Sequence, residues 1–290
     1  MSISATAVKT LRDRTNQPMM DCKAALTEAN GDMEKAVELL RKKSKDVVDK
    51  KTGRETAEGR IAVFVDEAKK AGAILEMRCE SPPVVKSEHF VALANDIAKQ
   101  VALQGATTVE ALLAQPFVGD AKHTVSDRII ETAGLIRENM KPARWTHLTG
   151  LLGSYVHHDG SVGVLLQVEG DKADSQMLRD ICMHITARNP SFGRREEVPA
   201  ATVAKEQEIA RSQIAADPKN ASKPAQIVEK IAEGKLKTWF VENVLLEQPF
   251  VKDDSKSVGD LLKSAGLKFV RFIRYKVGEI SGESGTTGKA

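Results

Sequence analysis

The segment Val8–Leu40, VKTLRDRTNQPMMDCKAALTEANGDMEKAVELL, has the clearest pattern in the chain. Two sets of its apolar residues recur at i, i+3, i+4 and i+7, the spacing of a helix that is buried along one face. They are Cys22, Ala25, Leu26 and Ala29, followed by Met33, Ala36, Val37 and Leu40. Asn30-Gly31 between them tolerates a left-handed backbone, and Asp32 can cap the second of these helices. Since Pro18 ends an earlier helix, we predict a compact three-helix unit.

A methionine pair, Met19 and Met20, lies at the predicted tip between the first two helices, and Arg12 lies one turn before the first helix ends. Methionine side chains are unbranched and polarisable, so an exposed pair suits a surface that packs against another protein. The spacing is equally compatible with two methionines that fill the small core. The pattern by itself therefore leaves both interpretations open.

The composition indicates a globular protein with a protein partner. The chain has 290 residues and is 41% hydrophobic, which is ample for a buried core and predicts two or three modules. Its 43 Lys and Arg against 40 Asp and Glu leave a net charge of +3. Because a nucleic-acid footprint needs a clustered basic face, we expect no direct contact with nucleic acid.

The cysteines and the N-terminal stretch indicate the cellular compartment. Cys22, Cys79 and Cys182 are odd in number and widely spaced in apolar patterns, so we predict reduced, buried thiols and neither disulfides nor a CxxC metal site. The stretch MSISATAVKT lacks the basic and apolar regions of a signal peptide. No run approaches the ~18 apolar residues of a membrane helix. We expect a cytoplasmic protein that does not contact membranes.

Residues 46–59 lie in a charged stretch that is poor in large apolar groups and is interrupted by Gly53 and Gly59. Such a stretch cannot fold by itself, so we predict a helical extension or a tether that lets the first module move.

Beyond it, apolar and charged residues alternate strictly from Leu75 to Glu80. This period of two predicts an antiparallel strand with one face on the core and the other in water.

A hairpin followed by an amphipathic helix occurs twice, first from Ile61 and again from Leu151. This order predicts two related α+β subdomains rather than a parallel sheet, and we expect their likeness to be structural, without a residue-by-residue match. Residues 188–234 predict two antiparallel helices that share a narrow apolar seam. A last strand, Phe269–Val277, is expected to join the second hairpin.

Together these patterns predict an α+β fold built from several modules, with antiparallel sheets and flanking helices in its core. The predicted parts are a three-helix docking domain (1–45), a charged linker (46–59), core subdomain N (60–144), core subdomain C (145–187 and 235–280), a protruding antiparallel helical hairpin (188–234) and a disordered tail (281–290).

The usual catalytic motifs are missing from the sequence, which contains no GxxxxGK(S/T), GxSxG or HExxH. His157-His158-Asp159 is the one local cluster that suggests a metal or base site. It falls on a predicted hairpin turn with no third ligand at suitable spacing, so we predict no metal site. His184 lies on an apolar helix and is predicted to be packed or hydrogen-bonded within the fold.

Several motifs along the chain resemble those of one family. They are Leu11-Arg12-x-x-Thr15, Met19-Met20-Asp21-Cys22-Lys23, Leu152-Gly153-Ser154-Tyr155-x-His157, Gln248-Pro249-Phe250-Val251 and Phe272-Ile273-Arg274-Tyr275. In order and spacing they resemble bacterial elongation factor Ts. The resemblance implies a ubiquitin-associated-like fold for the first domain. It also implies a guanine nucleotide exchange factor of translation that acts without covalent chemistry and without a cofactor.

The partner implied by the resemblance is elongation factor Tu, in its GDP-bound and its nucleotide-free form. Arg12, Met19 and Met20 would contact the nucleotide domain of this GTPase, and His157 would hold another part of it. An inserted segment would disturb the magnesium and phosphate contacts of GDP. The sequence leaves a homodimer and a 2:2 complex with the GTPase open.

The inserted segment departs from the family pattern. Where family members carry Thr-Asp-Phe, this chain has Ser81-Pro82-Pro83, which lacks both the carboxylate and the aromatic ring. We expect the two prolines to keep this segment extended and stiff, as a blunter contact at the same location. The alternative function is a module that binds elongation factor Tu, or another protein, with weak or no exchange activity.

Overall fold

The computed structural model describes residues 3–217 and 223–279. It has the predicted α+β class with antiparallel sheets. Contacts divide the chain into two compact units. The first unit runs to Leu148 and includes Val156–Gly163 and Tyr275–Gly278. The described residues of the second unit are Thr149–Tyr155, Val164–Arg274 and Glu279. The predicted tail, 281–290, lies outside the described residues.

The first unit begins with the three predicted helices, which we call the N-terminal module. They are α1 (Ala5–Thr15), α2 (Met19–Glu28) and α3 (Met33–Asp49). The Ser4 hydroxyl caps α1 by accepting a hydrogen bond from Ala7 N at 3.1 Å. Asp32 caps α3 as predicted, because its carboxylate accepts from Glu34 N at 3.0 Å. The helices enclose a small apolar core that includes Val8, Leu11, Cys22, Leu26, Ala36 and Leu40.

The N-terminal module packs against α7 (Val125–Ile136). A Cβ atom added to Gly134 on α7 would lie 2.5 Å from the Cβ atom of Ser44 on α3, so the two helices approach closely. Gln17 is buried beside them and donates from Nε2 to Glu131 O at 3.2 Å. The structure therefore packs this module against the rest of the first unit, where the sequence predicts only a tether between them. The contact is possible because Gly134 and Ser44 are both small. The charged residues that follow α3 in the sequence give no sign of it.

A three-stranded sheet of order β1-β2-β5 forms the middle of the first unit. Its strands are β1 (Glu58–Asp66), β2 (Ala71–Cys79) and β5 (Met140–Thr149). Between β2 and α7 lie α4 (Pro82–Val85), α5 (Glu88–Gln104), α6 (Val109–Ala114) and the short hairpin of β3 (Pro116–Phe117) and β4 (Asp120–Thr124). α5 covers the sheet and supplies Phe90, Leu93, Ile97 and Val101 to the main core.

Strand β2 differs from the half-exposed strand that its alternation predicts, because both of its faces are buried. Glu76, expected in water, is only 3% exposed. Its carboxylate accepts from Arg78 Nη1 and Arg144 Nε, both at 2.7 Å, and from Gly278 N at 3.0 Å. These two guanidinium groups and a distant backbone amide cover the face that was predicted to be wet.

The second unit contains a sheet of order β10-β7-β6. Its strands are β6 (Leu151–Val156), β7 (Val162–Glu169) and β10 (Lys268–Lys276). The last strand joins the second hairpin, as predicted. The remaining elements are α8 (Ser175–Arg188), α9 (Ala200–Ala216), α10 (Ala225–Asn243), β8 (Pro249–Phe250), β9 (Asp253–Ser257) and α11 (Val258–Ser264).

Helices α9 and α10 pack against each other along a narrow apolar seam, as the sequence predicts, but α10 continues past the predicted end at residue 234. The seam consists of Ala210, Ile214, Val228, Ile231 and Ala232. A second small cluster forms where α10 ends, around Phe240 and Val244. None of the helices within the described ranges combines the length and the apolar composition that a bilayer crossing requires.

Within the structural likeness that the sequence predicts, the two units share one short residue-level match. Gln-Pro-Phe-Val occurs at 115–118 and again at 248–251. The two short hairpins have the same register, since Pro116 pairs with Thr124 and Pro249 pairs with Ser257. Each hairpin leads into a helix through a capping box, at Thr124 and at Ser257. The match is short, which is why helix and strand periodicity do not reveal it.

Candidate partner-binding site

The methionine tip, defined as Met19 and Met20, occupies the first two positions of α2. The inward face of this helix is taken by Cys22 and Leu26, so both methionines point away from the core. Met19 is 51% exposed and Met20 is 72% exposed, which excludes the alternative that they fill the core. Within the described ranges the exposed Arg12 makes no ion pair. The tip is therefore apolar surface left in water, with a free cation on the preceding helix.

The segment Ser81–Val85, which we call the proline turn, is helical, so the predicted extended form is wrong. Pro82 and Pro83 occupy the first two positions of α4. Proline fits there because the first turn of a helix needs no amide donor and its ring already has a helical φ. Both rings are exposed, whereas Val84 is buried. The turn presents two stiff apolar rings and is anchored by one apolar side chain.

Hydrogen bonds hold both ends of the proline turn. At its start, the Glu138 carboxylate accepts from Ser81 N at 3.1 Å and from the Ser81 hydroxyl. At its end, Val85 O accepts from Arg60 Nη1 at 3.0 Å. Glu138 and Arg60 lie 57 and 25 residues from these partners in sequence. Sequence reasoning missed both residues, because no local pattern connects them to the turn.

His157 begins the turn between β6 and β7. His157 N donates to Val162 O and Gly160 N donates to His157 O, both at 2.8 Å. Gly160 has a φ of 77° and lies against Arg60, since an added Cβ atom would be 3.1 Å from Arg60 Cζ. Because Arg60 also binds Val85 O, its guanidinium group lies between the proline turn and the His157 turn.

Asp159 in the same turn is hydrogen-bonded within the turn. Its carboxylate accepts from Ser161 N at 2.8 Å and from Ser161 Oγ at 2.7 Å. The hydrogen bond from Ser161 N, together with that from its hydroxyl, lowers the pKa of Asp159. The rings of His157 and His158 pack edge to face with centroids 4.4 Å apart. In the part of the chain that the structure describes, no three His, Cys, Asp or Glu side chains converge on a metal position.

The cysteines are free and buried, as predicted: Cys22, Cys79 and Cys182. Burial raises the pKa of Cys79 to about 12, and it also raises the pKa of Cys182. Because the thiolate is the reactive form of cysteine, thiols held protonated in the core are poor nucleophiles. These residues contribute to packing.

The first unit contains every residue that the sequence predicts to contact the partner. They are Arg12, Met19, Met20, Ser81, Pro82, Pro83 and His157. This set includes His157, which sequence reasoning assigns to the second subdomain. The contacts described above connect the proline turn to the His157 turn through Arg60, and they connect the proline turn to the segment after α7 through Glu138.

The environment of His184 confirms the prediction that it is packed and hydrogen-bonded. The ring is fully buried, and its Nδ1 accepts from Val251 N at 3.2 Å. Nε2 therefore carries the proton and donates to Gln248 Oε1 at 2.9 Å. In the first unit Gln100 takes the equivalent place, since it accepts from Val118 N at 2.8 Å and donates to Gln115 Oε1 at 2.9 Å. The repeat thus uses two side chains for one structural role.

We expect the second unit to lose stability as the pH falls through 6.5, because of His184. Burial lowers the pKa of His184, although its hydrogen bond to Gln248 opposes this shift. The histidine of an unfolded chain has a pKa of ~6.5. Below that pH the unfolded chain binds a proton that the folded chain does not, because burial disfavours the charged ring. The resulting loss is at most about 1.4 kcal/mol per pH unit. Urea unfolding at a series of pH values, followed by Trp239 fluorescence in a Trp145→Phe background, measures it.

The matched control for this prediction is His184→Gln, which copies Gln100 of the first unit. A glutamine can accept from Val251 N and donate to Gln248, and it does not titrate. The variant should therefore lose the pH dependence between 6.5 and 5 while it still folds. The pKa values of Asp253 and Asp260 in this unit are lowered from 3.8. These carboxylates therefore do not change the stability of the unit between pH 6.5 and pH 5. An unchanged pH slope in the variant would show that another group is responsible.

Comparison with known proteins identifies the family. Residues 80–279, more than half of the chain, match the family model described as Elongation factor TS. Relatives named Elongation factor Ts are 44% identical over 282 residues in Methylococcus capsulatus and 41% identical over 283 residues in Thioalkalivibrio sulfidiphilus. A third, from Clostridium botulinum, is 41% identical over 289 residues. Each alignment covers 96% of this chain and 93% of the relative.

The α+β fold, the exposed apolar tip and these matches along nearly the whole chain define a translation elongation factor. The chain belongs to the elongation factor Ts family.

Proposed function

We propose that this elongation factor binds elongation factor Tu and accelerates the release of GDP from it, so that GTP can enter. Membership of the elongation factor Ts family supports this choice of partner. The observation that carries the proposal is the methionine tip, a pair of large apolar side chains that the fold leaves in water. Such a pair is costly in a free protein and is useful when a partner covers it.

Acceleration of GDP release requires several contacts to act together. The effect is a coupling free energy between two ligands of one GTPase, so a protein that loosens GDP is itself loosened by GDP. Each tenfold gain in release rate needs about 1.4 kcal/mol of stronger binding to the GDP-poor state. One fully buried apolar side chain supplies roughly 1.5–3 kcal/mol. A gain of several decades is therefore shared among separate elements of the first unit.

The elements differ in what they contribute to the proposed contact. The methionine tip supplies apolar area of adaptable shape, and Arg12 supplies a positive charge. The proline turn supplies two stiff rings and no carboxylate, so it acts by displacing segments near the phosphates rather than by competing for magnesium. The His157 turn holds a second part of the GTPase. No step forms or breaks a covalent bond.

Stopped-flow measurement of fluorescent GDP leaving elongation factor Tu from the same source tests this function. We expect the release rate to rise with the concentration of this protein and to level off at least about tenfold above the spontaneous rate. Excess GDP should weaken the complex, because the coupling is reciprocal. A release rate that stays at the spontaneous value at every concentration would contradict exchange.

The replaced residues in the proline turn favour one second candidate, which is binding to elongation factor Tu with weak or no exchange. Ser81-Pro82-Pro83 lacks the carboxylate and the aromatic ring of the family pattern. A stable complex in gel filtration, combined with an unchanged rate of GDP release, would support this candidate. A complex that GDP dissociates would support exchange instead.

A further inference from the structure

The segment Arg137–Asn139, which we call the α7 loop, connects α7 to β5 and contacts several other segments. Arg137 ends α7 in the left-handed conformation, with a φ of 61°. Its Nη2 donates to the carboxylate of Asp21, the residue after the methionine tip, at 3.1 Å. This ion pair is exposed on the arginine side and contributes little by itself. It does show that the helix of the methionine tip reaches the end of α7.

The other two residues of the α7 loop hold the start of the proline turn in a crossed arrangement. The Glu138 carboxylate accepts from Ser81 N, and the Glu80 carboxylate accepts from Asn139 N. Each glutamate therefore accepts a hydrogen bond from the residue that follows the other glutamate in sequence. The buried Asn139 also donates from Nδ2 to Arg54 O at 2.9 Å. Charge-assisted bonds to backbone amides are strong, so the turn is firmly attached to the α7 loop.

Helix α7 packs so closely against the N-terminal module that its backbone nearly touches that of α3. A Cβ atom on Gly134 would lie 2.2 Å from Ser44 Oγ and 3.1 Å from Ser44 Cα. The side chain of Gln17, which directly precedes Pro18 and the methionine tip, donates to Glu131 O on the same helix. One helix and its C-terminal loop thus contact the module that carries the tip and the turn that carries the prolines.

We propose that α7 and the α7 loop are a positioning element, which fixes the methionine tip relative to the proline turn. This inference rests on the proposed function, in which both surfaces contact one GTPase. Binding energy gained at one contact lowers a barrier at another only when the two are held in a fixed geometry. A loosened connection leaves the tip able to bind, and it prevents that binding from driving the proline turn against the phosphate region.

Two variants loosen the connection from opposite sides. Glu138→Ala removes the acceptor for Ser81, and Gly134→Ala pushes α3 away from α7. We expect each to lower the saturating rate of GDP release by about tenfold. The half-saturating concentration should change by less than about threefold, because the contact residues themselves are untouched. Stopped-flow release at a series of concentrations separates the two quantities.

Each variant has a conservative rescue. Glu138→Gln keeps an oxygen that can accept from Ser81 N, so it should retain most of the saturating rate. Ser44→Gly in the Gly134→Ala background removes the Oγ and Cβ atoms that the new methyl group meets. This double variant should recover more of the rate than Gly134→Ala, although glycine in the middle of α3 weakens the helix. Recovery of the saturating rate in these variants would show that the original loss does not come from unfolded protein.

A second measurement needs no partner. Nitroxide labels at Lys23→Cys on α2 and Lys86→Cys after the proline turn report the distance between the two surfaces, and the three native cysteines are buried. We expect one narrow distance distribution in the otherwise unchanged protein. It should broaden in Glu138→Ala and in Gly134→Ala. The matched control is Arg14→Met, which breaks an exposed ion pair with Glu34 inside the module and should change neither distance nor rate.

The two readouts separate this inference from the proposed function. Broadened distances together with a lowered saturating rate support the positioning role. Narrow distances in both variants overturn it, and so do broadened distances with an unchanged saturating rate. If the unaltered protein does not accelerate GDP release, the proposed function fails, and the distance measurement alone then decides whether α7 and its loop fix the two surfaces.

Discussion

Replacing Met19 and Met20 together with alanine lowers the rate of GDP release at sub-saturating concentration by about 30-fold, or about 2 kcal/mol. Full burial of each methionine side chain gains roughly 1.5–3 kcal/mol. Both are more than half exposed in the free protein, so most of this gain is still available to a partner. The initial slope of release rate against concentration measures the loss.

Two controls separate this effect from a change in the fold. Met19→Leu with Met20→Leu conserves volume and apolar character, and should keep the slope within about threefold. The melting temperature of the alanine variant should equal that of the unaltered protein, because neither methionine belongs to the core of the module. An unchanged slope would remove the methionine tip from the contact surface. A lowered melting temperature would assign the loss to folding instead.

Replacing Glu76 with alanine destabilises the first unit by about 3–5 kcal/mol, the usual result of removing one partner from a buried ion pair. The Glu76 carboxylate is the shared acceptor of two guanidinium groups, those of Arg78 and Arg144, which are themselves largely buried. Its removal also leaves Gly278 N without its acceptor. The loss is a large fraction of the ~5–15 kcal/mol by which a domain is stable.

Urea unfolding followed by Trp145 fluorescence in a Trp239→Phe background measures the first unit separately, because the chain has two tryptophans and one lies in each unit. Glu34→Ala is the matched control, since it also removes a glutamate from an arginine but at an exposed position. We expect that variant to unfold close to the unaltered protein. Equal midpoints for Glu76→Ala and Glu34→Ala would show that the buried network does not stabilise the unit.

Local patterns predict the parts of the fold that depend on neighbouring residues. The three helices of the N-terminal module form where apolar residues recur at helical spacing, and Asp32 caps α3 as expected. His184, on an apolar helix, is packed and hydrogen-bonded as expected. These predictions succeed because helix period and capping involve residues within about four positions of one another.

The candidate site is less predictable, because its shape depends on distant residues. The location of Ser81, Pro82 and Pro83 follows from their place in the family pattern, whereas their helical conformation and their attachment to Glu138 do not. Arg60 likewise has no local signal for its place between the proline turn and the His157 turn. The repeated Gln-Pro-Phe-Val also relates two distant segments, but it can be read directly from the sequence as a short match.

The sequence by itself determined the helices of the N-terminal module, the class of the fold and the family to which the chain belongs, since these depend on local periods and on ordered motifs. Only the tertiary structure decided that Glu76 is buried and that both methionines are exposed. The physical reason is that burial depends on what covers a residue. Glu76 is covered in part by an amide 202 positions away, whereas the described parts of the chain leave more than half of each methionine exposed.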